Sequence, residues 1–374
     1  MSARSLVVFG EDWGAHPSST QHLISRLADR YDVLWVNSIG MRRPRLGVRD
    51  ARRVLRKFRA MLGSSGAGVA AGEAAFPLIS PRCISWPGSR LADALNRTVL
   101  KAQVSKALGA LADTSPILWT SLPTAEPVVG ELGERSVVYY CGDDFGALAG
   151  VDHAPVLEYE RRLVDRTDLI LAASDELAAR FPKNRTLLLP HGADIDLFTR
   201  PAPRPAALPD HPRIAGFYGS FSEWIDREML EVSALQLRDW HFVFVGPVQA
   251  DPGALARMEN VSFIGPQPHD ALPGFVQNWT VSMLPFCDNG QIRACNPLKL
   301  REYLAAGTAV ASTPFPALKP YLRFVDVCRD RTAFSRTILE ASNSRCSEQE
   351  RAAAVRGESW ERRAADVASA LGSL

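Results

Sequence analysis

The chain has 374 residues, more than one hydrophobic core usually organises, so its length favours two domains. Hydrophobic residues make up 46% and charged residues 22%, which excludes a disordered protein and supplies enough apolar side chains for two cores. The formal net charge of +2 argues against a general nucleic-acid-binding protein.

The cysteines and histidines show no spacing that would hold a metal. The six cysteines form no CxxC pair, and the seven histidines form no HExxH motif. The first ten residues lack the length and the cleavage site of a signal peptide, and no apolar run approaches the roughly 20 residues that cross a bilayer. We therefore expect a cytoplasmic protein without a metal or other cofactor, whose membrane contact is peripheral.

Short apolar strands alternate with helices through the first half of the chain. An amphipathic helix over 18–30, capped by Ser18 or Ser19, separates the first two strands. The predicted strands are 6–9, 32–36, 117–120, 136–140, 169–173 and 187–190. This alternation indicates an α/β domain with a parallel sheet covered on both faces.

A strongly basic stretch lies between Arg42 and Arg59, where nine Lys or Arg residues accompany a single acid, Asp50. Apolar residues recur through this stretch and beyond it at helical spacing, which is typical of a helix that lies on an anionic membrane surface. The alternatives are a solvated helix face or an RNA-binding patch.

A second α/β region follows a proline-rich break at 200–209, which cannot continue a helix or a central strand. The predicted strands after the break are 214–218, 241–245, 261–265, 281–285, 309–312 and 323–327. We therefore predict two doubly wound Rossmann-like domains, 1–199 and 200–356, that face a central cleft containing the active site.

One helix start in the second half carries charges that suit a phosphate. Pro297 is expected in the first helical turn, Asn296 can cap it and Gly307 ends the helix, so the unpaired amides and the helix dipole would favour an anion. Lys299 could neutralise a diphosphate, while Glu302, one turn on, could accept hydrogen bonds from ribose hydroxyls. The alternative is an ordinary amphipathic helix whose lysine and glutamate are solvated.

Four groups of residues, taken together, resemble GT-B fold glycosyltransferases. The groups are, in chain order, His191-Gly192-Ala193-Asp194 with Phe198, Tyr218-Gly219-Ser220 with Trp224-Ile225-Asp226, Phe244-Val245-Gly246-Pro247, and the segment from Asn296 to Gly307. The resemblance is closest to bacterial enzymes that build exopolysaccharide, capsule or teichuronic-acid-type polymers. It implies a nucleotide-diphosphate sugar donor, with a UDP-sugar favoured, and a saccharide or polyprenyl-linked acceptor. It also implies a last helix, 357–374, that crosses back to the first domain.

The resemblance places the donor on the second domain. Gly219, followed by Ser220, would let the backbone approach the diphosphate, since only a residue without a Cβ allows this, and Gly246 would have a positional role at the next strand exit. Arg293 is either a second cation for the diphosphate or a solvated loop arginine. The remaining predicted donor contacts are Asn296, Pro297, Leu298, Lys299 and Glu302.

The position eight residues before Glu302, where many retaining members carry a glutamate, is Ala294, which favours an inverting transfer. An inverting enzyme needs a base to deprotonate the acceptor. Asp143 and Asp144 follow an apolar strand, and adjacent carboxylates can raise one another's pKa, so either is a candidate. The alternative for this pair is a helix cap followed by a solvated acid, and His16 is the second candidate base.

The loop that contains Asp12, Trp13 and His16 is predicted to contact the acceptor, because an acid, an indole and an imidazole suit sugar recognition. Alternatively, Trp13 packs against the hinge and His16 lies on the surface. The sequence thus predicts a metal-independent glycosyltransferase on the inner face of the membrane. A nucleotide-sugar epimerase or phosphorylase and a non-catalytic nucleotide-sugar-binding protein are the rival functions.

Overall fold

The computed structural model describes residues 4–14, 18–41, 74–109 and 115–374. His16 and the basic stretch between Arg42 and Arg59 lie outside these residues. The strands are β1 Arg4–Phe9, β2 Tyr31–Val36, β3 Leu78–Ile79, β4 Ile117–Thr120, β5 Ser136–Cys141, β6 Leu169–Ala172, β7 Thr186–Leu188, β8 Ile214–Tyr218, β9 His241–Val245, β10 Val261–Ile264, β11 Val281–Leu284, β12 Ala309–Ser312 and β13 Val325–Val327. All twelve predicted strands are present, and the two-residue strand β3 is the one that the sequence did not predict.

Helices connect these strands in the described part of the chain. The α-helices are α1 Ser19–Leu27, α2 Arg90–Leu108, α3 His153–Asp165, α4 Asp175–Ala178, α5 Ile195–Thr199, α6 Arg227–Gln236, α7 Leu272–Val276, α8 Gly290–Ala294, α9 Leu298–Ala305, α10 Phe334–Ser342, α11 Glu348–Val355 and α12 Trp360–Gly372. Short 3₁₀ helices cover Pro123–Val128, Lys183–Arg185, Gly253–Arg257, His269–Ala271, Pro316–Tyr321 and Arg331–Ala333. None of the helices in the described ranges is long and apolar enough to span a bilayer.

Each half of the chain folds around its own parallel sheet. The first sheet has the order β3-β2-β1-β4-β5-β6-β7, and the second has the order β10-β9-β8-β11-β12-β13. Strand order reverses between β1 and β4 in the first sheet and between β8 and β11 in the second. Because the loops after the two central strands diverge at such a switch point, it is the usual ligand position in a doubly wound sheet. The predicted fold class of two Rossmann-like α/β domains therefore agrees with both topologies.

The chain divides into two compact units. The first lies within Met1–Pro190 and Ala364–Leu374, and the second is His191–Arg363. The second unit therefore begins earlier than the predicted residue 200. The reason is packing, since Ala193 and Phe198 are buried in the core of the second unit and the Ala193 amide donates to the Glu358 carbonyl at 3.0 Å.

A buried ion network joins the helix α9 to the segment before α12, within the second unit. Arg301 is 3% exposed, its Nε donates to Glu358, and its Nη1 donates to Asn296 Oδ1 at 2.5 Å. Tyr321 donates to Glu358 Oε1 at 2.6 Å, and Arg363 donates to Oε2 at 3.4 Å. Through Arg301, the network connects Asn296, just before α9, to Glu358, just before α12.

We expect Glu358→Ala to destabilise the second unit by roughly 3–5 kcal/mol, because it leaves the buried Arg301 guanidinium without its carboxylate. The matched control is Arg323→Ala, which breaks a solvent-exposed pair with Glu350 (3.1 Å, side chains 76% and 46% exposed) and should cost about 1 kcal/mol or less. Denaturant unfolding of both variants measures the difference. An equal decrease in the free energy of unfolding in the two variants would contradict a structural role for the network.

Candidate functional site

Two glycines with left-handed backbones follow two neighbouring strands of the second sheet. Gly219 follows β8 with φ +122°, and Gly246 follows β9 with φ +139°. A Cβ on Gly246 would overlap the Gly219 carbonyl, and a Cβ on Gly219 would overlap Lys299 Cε and lie 3.0 Å from its Nζ. The Gly219 amide itself donates to the Val245 carbonyl at 2.8 Å. Gly219 therefore makes room for the Lys299 side chain, and its amide is already used within the sheet.

Lys299 lies in the first turn of α9, beside the end of β8. Its ammonium lies 5.8 Å from the centroid of the Phe217 ring and 5.9 Å from that of Tyr218, within the range of cation–π contact. Burial lowers the pKa of Lys299, which the negative charge of Glu302 partly opposes. Within the described ranges, the ammonium has no ion pair and no hydrogen bond. A partly buried cation in this state would be stabilised by an anionic ligand.

The start of α9 differs in detail from the prediction. Pro297 is the N-cap residue, the helix begins at Leu298, and no side chain caps it. Asn296 was predicted as a possible cap, and this is wrong, because its Oδ1 accepts from the buried Arg301 instead. The first-turn amides of an α-helix have no carbonyl partner within the helix, so those of α9 are oriented toward any anion at its start. Gly307 follows the helix with φ +75°, as predicted.

Glu302 is 4% exposed and lies in a polar cluster that the sequence did not predict. Tyr218 donates its hydroxyl to Glu302 Oε2, and His269 Nε2 lies 3.9 Å from Oε1 and 2.9 Å from Asp194 Oδ2. Burial raises the pKa of Glu302, while Tyr218, His269 and Lys299 act against this rise. The hydrogen bond that His269 donates to Asp194 raises the pKa of His269. The carboxylate is thus positioned by the Tyr218 hydroxyl and, at longer range, by His269, one turn after Lys299.

Two further predicted donor residues lie outside α9, Arg293 in the short helix α8 and Ser220 after β8. Arg293 forms a two-point ion pair with Asp288, with distances of 2.8 and 3.0 Å, and both side chains are mostly exposed. Ala294 is 3% exposed, so no carboxylate lies at that position. Ser220 is half-buried directly after Gly219. Asp226 accepts from the Met229 amide at 3.2 Å, which makes it the N-cap of α6. Arg293 therefore has a protein partner, whereas Lys299 has none among the described residues.

The two adjacent aspartates after β5, in the first unit, have opposite environments. Asp144 is 8% exposed and accepts two hydrogen bonds from Arg180, at 2.5 and 2.6 Å, which lower its pKa. Asp143 is open to solvent, and its carboxylate has no hydrogen bond or ion pair with the described residues. Desolvation by the protein atoms close to its carboxyl group, together with the charges of Glu11 and Asp144, raises its pKa. Arg180 therefore engages the carboxylate of Asp144, whereas that of Asp143 has no such partner among the described residues.

The loop after β1 holds the predicted acceptor residues Asp12 and Trp13. Asp12 Oδ1 accepts from the Ser38 amide at 3.1 Å and from the Ser38 hydroxyl at 2.9 Å. The indole of Trp13 contacts Trp35 and Phe76 edge to face, each at 4.8 Å between ring centroids. These contacts hold Asp12 and Trp13 in place, and they leave Asp12 exposed. His16, the third predicted residue, lies outside the described residues.

Three of the residues that matter here, Arg180, Asp194 and His269, were not predicted as site residues. Arg180 and His269 lie far in sequence from their partners, so no local spacing indicates them. Across the described ranges, no group of three or more His, Cys, Asp or Glu side chains is arranged to hold a metal ion.

Comparison with known proteins links these features to one fold. No family model matches the chain. In sequence, the chain is 28% identical over 230 residues to TuaH of Bacillus subtilis (strain 168), named a candidate glycosyltransferase of teichuronic acid biosynthesis. The match covers 55% of this chain and 58% of the relative, so the chain spans little more than half the length of the curated relative that it matches.

Solved structures are similar over nearly the whole chain. Sucrose-phosphate synthase from Thermosynechococcus elongatus has a TM-score of 0.70 at 16% identity, covering 99% of this chain and 98% of that one. HepE from Anabaena, in complex with UDP, has a TM-score of 0.66 at 14% identity, covering 99% and 100%. Trehalose 6-phosphate synthase from Burkholderia multivorans has a TM-score of 0.66 at 12% identity, covering 100% and 99%. The predicted GT-B fold, and the predicted resemblance to teichuronic-acid-type glycosyltransferases, are therefore confirmed.

Proposed function

We propose that this chain is a glycosyltransferase that moves a sugar from a nucleotide-diphosphate sugar to a saccharide acceptor during synthesis of a cell-surface polysaccharide. The observation that carries the proposal is the Lys299 ammonium. It is held at the start of α9 beside a left-handed glycine, its pKa is lowered by burial, and it has no anionic partner within the described residues. A diphosphate supplies that partner and can also accept from the first-turn amides of the helix.

The donor proposed is a UDP-sugar. HepE, whose fold the chain shares, has been solved with UDP and with UDP-glucose. In this chain, Glu302 is held by Tyr218 and His269 one turn after Lys299, where its remaining lone pairs can accept from ribose hydroxyls. The assignment to a cell-surface polymer rests on the sequence similarity to TuaH. Location on the inner face of the membrane, with docking through the stretch between Arg42 and Arg59, stays a prediction from the sequence.

The reaction proposed is an inverting transfer without a metal. Asp143 takes the proton of the acceptor hydroxyl while that oxygen attacks the anomeric carbon. The bond between the anomeric carbon and the diphosphate oxygen breaks at the same time, and the electron pair leaves on the diphosphate. Lys299 and the start of α9 stabilise the added negative charge, which a divalent ion does in other systems. Ala294 supports inversion, because it offers no carboxylate at the position where many retaining relatives have one.

We propose a thermal-shift screen against UDP, GDP, dTDP and CMP and against the corresponding nucleotide sugars. We expect ligands with one base only to raise the Tm of the protein, and we favour uracil. A ligand at one hundred times its Kd stabilises the native state by about 2.7 kcal/mol, which is readily measured. Product analysis with the selected donor and a saccharide acceptor then tests transfer. Conversion of the donor without an acceptor would favour an epimerase, binding without any reaction would favour a non-catalytic protein, and the absence of any shift would contradict the proposed site.

A further inference from the structure

An exposed apolar and basic surface lies at the start of α2 in the first unit, and the candidate site uses none of its residues. Four large apolar side chains within twelve residues are open to solvent, which is unusual for a surface without a partner. They are Ile84, Trp86, Leu91 and Leu95, with exposed fractions of 47%, 50%, 79% and 55%. We refer to these four residues, together with Arg82, Arg90 and Arg97, as the α2 surface.

The loop of the α2 surface is held rigidly on its helix. The Asn96 side chain accepts from the Ile84 amide at 2.8 Å and donates to the Ile84 carbonyl at 2.9 Å. The Ser89 side chain caps α2, and the Gly88 amide donates to the Tyr159 hydroxyl at 2.9 Å. These bonds fix the backbone beneath the apolar side chains, so their exposure is built into the fold.

The helix uses a different face for packing. Its buried residues recur every four positions, and Leu91 and Leu95 each precede one of them by a single position, on the solvent side of the helix. The buried set is Ala92, Asn96, Leu100, Val104 and Leu108. Leu91 and Leu95, one turn apart, are therefore not required for the core of the first unit.

Positive charges outnumber negative ones around the exposed side chains. Arg82, Arg90 and Arg97 are all exposed, and Arg97 donates from Nε to the Pro127 carbonyl at 3.1 Å. The acid of this helix, Asp93, accepts a hydrogen bond from Tyr159, and Lys101 is paired with Glu131 at 3.1 Å. A binding partner of the α2 surface must therefore present both apolar groups and negative charges. The exposed apolar side chains number four, whereas each partner of a stable protein pair usually contributes roughly 20–30 residues.

We propose that the α2 surface docks the protein on an anionic lipid bilayer. Leu91, Leu95 and Ile84 enter the boundary of the acyl chains, Trp86 lies at the level of the headgroups, and the three arginines contact lipid phosphates. The proposal deepens the proposed function, since a lipid-linked acceptor lies at such a surface. Vesicle binding needs neither donor nor acceptor, so its failure would leave the proposed transfer reaction untouched.

The test is flotation of the full-length protein with vesicles of phosphatidylcholine containing phosphatidylglycerol, and with phosphatidylcholine alone. The variant is Leu91→Gln with Leu95→Gln. The matched control is Val232→Gln with Leu235→Gln, which changes two exposed apolar residues (42% and 56%) of α6 in the second unit. We expect the α2 variant to bind anionic vesicles roughly tenfold more weakly, the control to bind as the unchanged protein does, and binding to fall at high salt.

Three results would overturn the proposal. One is that the unchanged protein does not float with anionic vesicles. Another is that both double variants bind as the unchanged protein does, which would assign docking to a different part of the chain. The third is concentration-dependent dimerisation in analytical ultracentrifugation that the α2 variant abolishes, because the occupant of the surface would then be a second copy of the chain. Melting curves of the two variants establish that each is folded before binding is compared.

Discussion

Replacing Lys299 by alanine is expected to lower kcat/KM for sugar transfer by about 10²–10³, the usual loss when one preorganised group that stabilises a leaving oxyanion is removed. The ammonium is the cation nearest the start of α9 without a carboxylate partner among the described residues, so no neighbouring charge takes over its role. Arg293 is already engaged by Asp288. Steady-state kinetics with the donor found by thermal shift measure the effect.

The phosphate role of Lys299 can be separated from a role in folding. Lys299→Met keeps the length of the stem and removes only the charge, and burial already disfavours the charged form, so this variant should fold at least as well as the unchanged protein. It should lose affinity for UDP but keep its affinity for uridine, which has no phosphate. Lys319→Ala, at an exposed lysine of the same unit, is the control and should change neither. Full activity in Lys299→Ala would refute the phosphate role.

Replacing Asp143 by asparagine is expected to reduce kcat by about 10²–10⁴, the contribution of a positioned general base, while donor binding stays unchanged. Asp144→Asn should instead lower stability, because it breaks the two-point contact with Arg180. The two variants therefore have different signatures, one in turnover and one in melting temperature. Full transfer activity in Asp143→Asn would remove the assignment of the base.

The pH profile gives a second readout for Asp143. A general base must be deprotonated, so kcat/KM rises with pH through the pKa of that group. Desolvation by nearby protein atoms and the charges of Glu11 and Asp144 raise this pKa, so the acidic limb should lie above the value of about 3.9 for an ordinary aspartate. Glu11→Gln removes one of these charges and should move the limb to lower pH. A limb that stays in place in Glu11→Gln would contradict Asp143 as the titrating group.

Much of the fold was predictable, because buried parallel strands are short apolar runs bounded by turn residues. Every strand from β8 to β13 starts and ends within two residues of its prediction. The strand β3 escaped because Leu78–Ile79 is too short to give a periodic signal. The start of the second unit was placed too late, since proline spacing marked a chain break but the burial of Phe198 depends on tertiary packing.

The site was predictable to the level of segments and less well at the level of single atoms. Lys299 and Gly219 were predicted as separate donor contacts, and the structure brings them into direct contact with each other. The choice between Asp143 and Asp144 could not be made from sequence, because Arg180 reaches Asp144 from the turn after α4 and nothing in the local pattern indicates it. Asn296 failed as a predicted cap for the same reason, since its partner Arg301 is held by the distant Glu358.

The connection between Arg301 and Glu358 also sets the smallest piece of this protein that could be produced alone to study donor binding. A fragment cut at 356, where the sequence suggested that the second domain ends, would retain the guanidinium of Arg301 and discard its carboxylate. Extending the fragment through Arg363 keeps Glu358 together with the arginine that also contacts it. Crystallisation or ligand-screening work on the isolated half should therefore begin at His191 and include the first turn of the terminal helix.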